Sequence, residues 1–512
     1  VGTDPFGERT VRAMMHPGYQ NPGYASPAGP IDPWLSVLSV VSVKDESPIC
    51  VMANLSMHYF GGGGFSADYF GEVARLLKTR IGQVGGKALP SFVGIMSQGT
   101  SGDLHWMDYS KPRQGISRLQ YSERVADHVL EAWKTIQYSS DHSLQMAEKR
   151  LTIDRRTPSL DRRQWARPIN AGRGDLAPRN QVEVYAHEAE WIHENPTAEV
   201  VLQAVRIGEL GITAMPNEVY GITGLKLKRQ SPLSTTFNLE LANGATGYIP
   251  PPEQHRLGGY TTWPARTAGL AEQAEPLIVE TVLSLLETVA GKKRKPMINP
   301  VSRYSEAIIK RIPIAYWRLE DMDSMQVNDA VGNDHAHHQG GVALFLPGPD
   351  GPGFASAEYG NRSVYLAGGH IDASLQQALD EYSVTMCFQN TLPVSARDTT
   401  GVLLSTEFET LLIAGKSAGN QAGKLVLRSG QHSFTGKTPV STKHWQQIAI
   451  TRDRQRVRVY LDGRAEPEID APVESLKPVK RLLIGSDGSS LATFDGKVDE
   501  VAVFDRALAD AD

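Results

Sequence analysis

Apolar runs and stretches of helical period follow one another in the first part of the chain. The apolar runs at 35–43, 49–56 and 91–96 predict strands, and the amphipathic pattern at 69–80 predicts a helix. A strand, a helix and a strand in this order predict an α/β layer, in which ligands bind at the carboxyl ends of the strands.

The rest of this part continues the mixture of helices and strands. Residues 1–34, rich in Pro and Gly, are interpreted as an extended segment that covers a surface, and the proline-containing, mixed-charge stretch 155–179 is interpreted as a loop. The pattern predicts helices at 117–136, 181–193, from Glu218 onward and at 265–289, and strands at 199–207, 210–215 and 236–241.

The pattern changes after the basic segment GKKRKP, residues 291–296, where a glycine, four basic residues and a proline predict a linker. From Ile314 onward, ten short alternating runs separated by Gly, Asp and Asn turns predict an all-β sandwich. In RVRVYLDG, alternation places Val457, Val459 and Leu461 on one face and the arginines on the other. We therefore expect an N-terminal α/β domain at 1–290, a linker at 291–313 and a sandwich at 314–512.

Composition limits the kinds of partner. The chain has 512 residues, enough for two to four domains, and a formal net charge of -5, which argues against nucleic acid. No apolar run approaches the roughly 20 residues of a membrane helix. Cys50 and Cys387 lie in separate predicted domains, so both are expected to be free thiols. The chain starts at Val1 without a charged-then-apolar leader, so a signal peptide is absent or already removed, or an upstream piece is missing.

His58 is the first candidate for chemistry. It follows the apolar run Ile49–Ala53, and Gly61–Gly64 follow it almost at once. Four glycines have no side chains to pack, which suits a place where backbone approaches a ligand or moves. The alternative is a buried histidine that caps a strand and is followed by a surface loop. The loop SQGTSGD, Ser97–Asp103, falls at the end of another predicted strand.

Four segments of the second half occur together in one known fold family. They are AYWRLE at 315–320, GNRSVYLAGGHI at 360–371, HWQQIAITRDRQRVRVYLDG at 444–463 and FDGKVDEVAVFDRAL at 494–508. With them, residues 314–508 resemble a laminin-G-like, concanavalin A-type jelly roll. The resemblance implies that function lies in loops, which in such modules bind carbohydrate, protein, calcium or no known ligand.

Three places in the predicted sandwich are candidates for a metal. Asp329 and Asp499 could face calcium, or accept local hydrogen bonds in Asp-Gly turns. The cluster DHAHH, Asp334–His338, could hold a metal, although an exposed loop is the favoured interpretation because no rigid frame is evident.

Four segments of the first half also occur together in a known family. They are NLSMHYFGGGGFSADYFG with His58 and Asp68, FVGIMSQGTSGD, MPNEVYGITGLKLK with Glu218, and NGATGYIPPPEQHRLGGY with Tyr248 and Tyr260. With them, residues 19–290 resemble the neutral/alkaline ceramidase superfamily, zinc amidases that cleave N-acyl sphingoid bases.

The resemblance implies a zinc site. By position, His58, Glu218 and Tyr248 would be three of the family's four ligands, and an open position would suit a catalytic zinc. Tyr260 would hydrogen-bond the oxyanion of the tetrahedral intermediate. The alternative for Tyr260 is an aromatic residue packed beside Trp263.

The chain departs from the family in two places. The family's other zinc histidine lies in an HTHSGP-like segment, which residues 1–54 lack, and His16 in MMHPGY has different neighbours. In GDLHWMD, His105 stands where the family has its nucleophilic serine. His105 could act as a general base on a zinc-bound water or bind metal, with Asp103 also handling protons. Ser97, Thr100 and Ser101 offer hydroxyls, but such residues in a Gly-rich turn usually serve backbone hydrogen bonds.

The resulting functional prediction is a zinc-dependent hydrolase of an amide (N-acyl) bond in a small molecule or lipid, with an accessory sandwich that binds glycan or a surface. One alternative is a hydrolase on the same scaffold that acts on a soluble, non-lipid substrate. Another is a non-enzymatic surface-binding protein with a decayed amidase domain. The pairing of domains is similar to bacterial exported proteins, which predicts a periplasmic or extracellular location.

Overall fold

A computed structural model describes residues 1–61, 64–84, 87–140, 143–173, 176–322, 325–354, 360–489 and 493–509. The chain divides into two compact units, Val1–Tyr24 with Ile31–Met297, and Ala25–Pro30 with Ile298–Asp512. The division at 297/298 falls inside the segment predicted as a linker. Of the predicted glycine loop, Gly62 and Gly63 lie outside the described residues.

The first unit contains both helices and strands. Its helices are α1 (Asp68–Arg80), α2 (Arg118–Lys134), α3 (Leu160–Asn170), α4 (Gln181–Glu194), α5 (Gly221–Gln230), α6 (Pro252–His255) and α7 (Ala274–Ala290). Its strands are β1 (Ser36–Val41), β2 (Pro48–Leu55), β3 (Gln83–Val84), β4 (Lys87–Ala88), β5 (Val93–Gln98), β6 (Leu144–Asp154), β7 (Thr197–Ile207), β8 (Leu210–Ala214), β9 (Glu218–Val219), β10 (Thr235–Leu239) and β11 (Tyr248–Ile249).

A three-stranded sheet of order β1-β2-β5 carries the predicted strand–helix–strand unit. β2 and β5 are parallel, and their last residues, Leu55 and Gln98, pair with each other. Helices α1 and α2 cover one face, where Val51 and Ala53 pack with Val73 and other apolar residues of the two helices. The carboxyl ends of β2 and β5 therefore lie side by side, so the segments with His58 and with Ser97–Asp103 start at the same edge.

A second sheet has the order β10-β8-β7-β6, and α7 packs on it through Ile278, Val282 and Leu286. The sequence pattern missed β6, because most of its side chains are exposed and its charged residues hide the alternation. The loop prediction for 155–179 is wrong in part, since α3 begins after the N-cap Ser159. That helix buries little more than Ala166, so it lacks a broad apolar stripe.

Two helix starts also differ from the prediction. Glu218 does not open a helix, because it pairs with Tyr248 in the short parallel strands β9 and β11, and α5 begins at Gly221. The closing helix begins at Ala274 rather than at 265. The residues before it surround Arg156, whose guanidinium donates hydrogen bonds to the carbonyls of Ala268 and Leu270.

The second unit is built from strands. Within the described residues, they form two sheets of eight strands each, ordered β15-β16-β27-β18-β23-β24-β25 with β12 beside β27, and β13-β14-β17-β26-β19-β20-β21-β22. The elements are α8 (Arg303–Lys310), β12 (Ala315–Trp317), β13 (Gln326–Val327), β14 (Ala336–Gln339), β15 (Val342–Pro347), β16 (Arg362–Ala367), β17 (His370–Leu379), β18 (Tyr382–Asn390), β19 (Thr399–Ser405), β20 (Glu409–Ala414), β21 (Lys424–Ser429), β22 (His432–Pro439), β23 (Trp445–Arg452), β24 (Arg456–Leu461), β25 (Ile469–Pro472), β26 (Val479–Ile484) and β27 (Asp495–Phe504).

The predicted alternation in RVRVYLDG is confirmed, because Val457, Val459 and Leu461 are buried while the two arginines between and before them are half-buried. Two interpretations of this half need correction. The predicted linker contains α8, which packs on the sandwich through Ile308. The DHAHH segment is only partly a loop, since its last three residues lie in β14 and His338 is buried.

Candidate functional site

Glycines bring the candidate segments of the first unit together. A Cβ at Gly99 would lie 2.6 Å from Ser56 Oγ, and a Cβ at Gly102 would lie 2.9 Å from the backbone of Glu218. Neither distance is tolerable between heavy atoms, so only glycine lets the loop after β5 approach both segments. This loop lies against the residues that lead to His58 and against the strand that carries Glu218.

Three imidazoles form what we call the imidazole cluster, His16, His58 and His105. The ring centroids of His58 and His105 are 5.2 Å apart, and those of His16 and His105 are 5.0 Å apart. Within the part of the chain that the structure describes, the buried Nδ1 atoms of His58 and His105 have no hydrogen-bond partner. The Nε2 atom of His105 lies 2.7 Å from the sulfur of Met15.

Burial, with a smaller contribution from neighbouring imidazoles, disfavours the charged forms of His58 and His105. Burial lowers the pKa of His105 to about 4, and the neighbouring imidazoles of His58 and His16 contribute. Burial, followed by the charge on His16, also lowers the pKa of His58. At neutral pH both rings are therefore free bases that can accept a proton.

A second set, which we call the phenol–carboxylate group, consists of Glu218, Tyr248 and Tyr260. The phenol oxygens of Tyr248 and Tyr260 lie 2.6 Å apart, and Tyr248 is also hydrogen-bonded to Glu218. Burial raises the pKa of Glu218, and the hydrogen bond with Tyr248 lowers it in part. Burial raises the pKa of both tyrosines, so both phenols keep their protons.

Tyr59 lies beside the imidazole cluster, with its ring centroid 4.5 Å from that of His58. It is within electrostatic reach of Tyr260, since it contributes to the raised pKa of that phenol. Tyr59 is 57% exposed, so this side of the imidazole cluster is open to solvent.

The predicted zinc ligands come together only in part. Glu218 and Tyr248 are bonded to each other, whereas the ring contacts found for His58 are with Tyr59 and His105. Among the described residues, no group of three or more His, Cys, Asp or Glu side chains is spaced to hold a metal ion. Tyrosine is not one of these residue types, so this absence does not bear on the set His58, Glu218 and Tyr248, and zinc stays a prediction.

Asp103 contacts the first residue of α5. Its Oδ1 accepts a hydrogen bond of 2.7 Å from the backbone N–H of Gly221, the first residue of α5. A carboxylate there satisfies an otherwise free donor of the helix. Burial raises the pKa of Asp103 to about 7. The structure therefore gives Asp103 a helix-capping contact, and its part in proton transfer stays a prediction.

The hydroxyls of the same loop have hydrogen-bond partners; the partner of Ser97 is a backbone carbonyl, as expected for such a turn, whereas those of Ser101 and Thr100 are side chains. Ser97 Oγ donates to the carbonyl of Ala53, and Ser101 Oγ donates to Glu240. Thr100 is fully buried, and its hydroxyl lies 3.4 Å from that of Ser56. These bonds hold the loop in place.

Glu240 and His16 belong to the site although sequence reasoning did not select them. Glu240 is buried and accepts hydrogen bonds from the backbone N–H groups of Ser101 and Val219, at 3.0 and 2.8 Å, and from Gln98. Burial raises its pKa to about 8, against the hydrogen bonds, which lower it. The available signal was a glutamate at the end of the apolar run TTFNLEL. Nothing in the neighbours of His16 signalled its position.

The calcium candidates of the second unit have local partners. Both carboxylate oxygens of Asp329 accept backbone N–H groups, including those of Tyr316 and Asp334. Asp499 is fully buried and accepts a hydrogen bond of 2.7 Å from Asn361. Calcium at Asp499 stays a prediction.

Comparison with known families supports the interpretation of the second unit. Residues 374–512 match the family described as the concanavalin A-like lectin/glucanases superfamily. This confirms the concanavalin A-like, laminin-G-like resemblance over that part, which is less than half of the chain. No curated protein matches the chain. Among the described residues, no helix is long and apolar enough to cross a membrane.

Solved structures with a similar region are of low identity. Domain 4 of AbnA, an extracellular arabinanase from Geobacillus stearothermophilus bound to arabinotriose, is 16% identical, with 39% of this chain and 95% of that chain covered and a TM-score of 0.29. A Trypanosoma rangeli sialidase bound to 2,3-difluorosialic acid is 13% identical, with 39% and 31% covered and a TM-score of 0.29. The binding domain of botulinum neurotoxin DC in complex with SialylT is 11% identical, with 39% and 49% covered and a TM-score of 0.27. The match spans less than two thirds of the last two chains, and with TM-scores this low the similarities do not bear on function.

Proposed function

We propose that the first unit is a ceramidase-like hydrolase that cleaves an amide or related acyl bond in an N-acylated small molecule or lipid. The supporting observation is that the loop Ser97–Asp103 packs closely both against Ser56, in the segment that leads to His58, and against the backbone of Glu218. We propose that the second unit binds glycan or a surface and that the protein is exported.

Acyl hydrolysis needs a base for the attacking water and a donor for the oxyanion. The neutral imidazole of His105, with His58 beside it, takes a proton from water as the oxygen attacks the carbonyl carbon. The carbonyl oxygen becomes an oxyanion, to which the phenol of Tyr260 donates a hydrogen bond. The intermediate then collapses, the C–N bond breaks, and the imidazolium returns its proton to the leaving amine.

Zinc is a separate proposal, because the hydrolysis by His105 and Tyr260 needs no metal. By the family resemblance, His58, Glu218 and Tyr248 would be its ligands, and a zinc ion would polarise the carbonyl or the water. Zinc content per chain decides the matter, measured by plasma mass spectrometry on the native protein and on His58→Ala. A stoichiometric metal that is lost in the variant supports the proposal, and a chain free of metal after purification with added zinc contradicts it.

Hydrolysis of fluorogenic N-acyl substrates by the full chain tests the activity. We expect turnover that falls at least about 100-fold in His105→Gln and in Tyr260→Phe, the range seen when a proton-transfer or oxyanion group is lost. His128→Gln is the matched control, because His128 is exposed on α2 and its ion-pair partner is Glu131 of the same helix. Equal rates in His105→Gln and the control would contradict the proposed roles. Matched lipid and soluble substrates separate the lipid hydrolase from the alternative that acts on a soluble substrate.

A non-enzymatic surface-binding protein is the second candidate. It is favoured by the family match at 374–512, since concanavalin A-like modules include binding domains. Binding of the full chain to a glycan array, without hydrolysis of any acyl substrate, would favour this candidate.

For the proposed calcium at Asp499, thermal unfolding with calcium and with chelator is compared between the native chain and Asp499→Asn. We expect calcium to raise the midpoint in the native chain alone.

A further inference from the structure

We infer that residues Val1–Gln20, which we call the strap, control access to His105, because Met15 lies against Nε2 of that imidazole and His16 lies beside its ring. This inference deepens the proposed function and rests on it for the identity of the ligand. Access to the ring is itself measurable without any substrate.

An aromatic contact holds one end of the strap. The ring of Phe6 packs edge-on against Trp165 and Tyr185, with centroid distances of 5.5 and 5.6 Å. The guanidinium of Arg162 lies 3.2 Å from the centroid of the same ring. Aromatic pairs and a cation over a ring are attractive contacts, so this end is fixed independently of the site.

The middle of the strap docks on the turn that precedes Tyr260. The backbone N–H groups of Arg12 and Ala13 donate to the carbonyl of Leu257, at 2.7 and 3.1 Å. Gly259 has a φ of 97°, and a Cβ there would lie 2.6 Å from the carbonyl oxygen of Ala13. This glycine is required for so close an approach, and the strap thus lies directly beside the segment that carries the oxyanion donor.

The far end covers His105. Nδ1 of His105 is buried, and the sulfur of Met15 lies 2.7 Å from the other ring nitrogen, Nε2. The ring of His16 lies beside the same ring, tilted by 44°, and is hydrogen-bonded through Nδ1 to the hydroxyl of Tyr109, at 2.6 Å. The N–H of Gln20 donates to the carbonyl of Tyr109. Tyr109 therefore holds this end at two points.

The cover is weakly held compared with the anchor. A thioether is a poor hydrogen-bond acceptor, so the interaction of Met15 with His105 Nε2 is weak. A hydrogen bond from water or from a substrate could replace it. Most strap side chains around it, including Thr10, Arg12, Met14 and His16, are exposed. Few buried contacts and exposed backbone bonds are the features of segments that open locally. If the strap opened between its anchor at Phe6 and its contacts with Tyr109, His105 would be uncovered and the core would be unchanged.

Acylation of the histidines by diethyl pyrocarbonate measures this access. The reagent transfers a carbethoxy group to a neutral imidazole nitrogen and releases ethanol and carbon dioxide. Trypsin places His16, His58 and His105 in three separate peptides, 13–44, 45–75 and 88–113, each with one histidine. The exposed His128 in peptide 125–134 serves as an internal reference for reagent activity. Mass spectrometry of a time course at pH 7 then gives one rate for each histidine.

Met15→Ala removes the covering sulfur, and Met14→Ala is its matched control, because the neighbouring Met14 is 58% exposed. We expect Met15→Ala to raise the His105 rate roughly two- to tenfold, the range that a sulfur–ring contact is worth, with no change in Met14→Ala. Phe6→Ala, which loosens the distant anchor, should raise the His105 rate too.

Three results would overturn the inference: a native His105 that reacts as fast as His128, equal His105 rates in Met15→Ala and Met14→Ala, or a Phe6→Ala rate no higher than the native one. Thermal unfolding midpoints verify that each variant is folded. Because no rate here depends on hydrolysis, a covered His105 in a chain without hydrolase activity would keep the strap and refute the proposed function. Hydrolase activity in a chain whose His105 reacts as fast as His128 would support the proposed function and refute the strap.

Discussion

Tyr248 and Tyr260 share a hydrogen bond of 2.6 Å between their phenol oxygens, with their rings nearly perpendicular at 86°. Tyr248 is fixed by the pairing of β11 with β9, and its phenol also bonds to Glu218. A phenol carries one proton, so when Tyr248 donates to Glu218, the proton of Tyr260 points toward Tyr248. A ligand oxygen beside Tyr260 would compete with the phenol oxygen of Tyr248 for that proton.

From this relationship we predict that Tyr260→Phe lowers kcat about 100- to 1000-fold and leaves KM nearly unchanged, as loss of an oxyanion donor does. The isosteric ring keeps the packing, so the fold should be retained. Steady-state kinetics on an N-acyl substrate measures both constants. Tyr138→Phe, which alters an exposed tyrosine, is the control. A Tyr260→Phe enzyme with native kcat would mean that Tyr260 is the packed aromatic of the alternative interpretation.

A second prediction concerns stability at low pH. Burial and the nearby imidazoles lower the pKa of His105 to about 4, whereas an unfolded histidine titrates near about 6.5. Between pH 6.5 and 4 the unfolded chain binds a proton that the folded chain does not, so the free energy of unfolding falls as pH falls. His105→Gln should weaken this dependence, as measured by urea unfolding at pH 7 and 4.5. His128→Gln should leave the native slope, and an unchanged slope in His105→Gln would contradict the prediction.

A third prediction follows from the bonds of Glu240. Glu240→Ala leaves the backbone N–H groups of Ser101 and Val219 buried without their acceptor, at a cost of about 3 kcal/mol in the free energy of unfolding. Because Val219 follows Glu218, the same change should also loosen the phenol–carboxylate group. Denaturant unfolding gives the stability, and hydrogen exchange of peptides with Ser101 and Val219 reports the local effect. Glu131→Ala, an exposed site on α2, should change neither.

Local sequence patterns predicted strands that are apolar along most of their length or that alternate regularly. β2 and β5 were found because both are apolar, and Val457, Val459 and Leu461 were placed on the correct face because β24 alternates. The exposed β6 and α3 bury too few side chains to leave such a signal. Elements such as β6 and α3 are stabilised by residues distant in the sequence, which a local pattern does not include.

The candidate site was predictable where one segment supplies both the residue and its setting. His58 follows a buried strand, and the pairing of Glu218 with Tyr248 agrees with their selection as a set. His16 was set aside, because only the docking of 12–13 on Leu257 brings it to His105. Glu240 was missed for a similar reason, since its donors come from two loops that lie far apart in the sequence.

Substitution of Asp103 separates a structural role from a chemical one. Asp103 caps α5 through the N–H of Gly221, so Asp103→Ala should lower the free energy of unfolding by about 1 kcal/mol, as the loss of a cap does. Asp103→Asn keeps an oxygen that can accept the same hydrogen bond but has no carboxyl proton to transfer. If Asp103 only positions α5 and the neighbouring Glu218, Asn should restore both stability and hydrolysis, whereas a proton-transfer role requires that hydrolysis stays low while stability returns. Unfolding by urea and kinetics over pH 5–9, measured on the same preparations, distinguish the two outcomes. The structure favours the first, because the carboxylate contact found for Asp103 is with the helix.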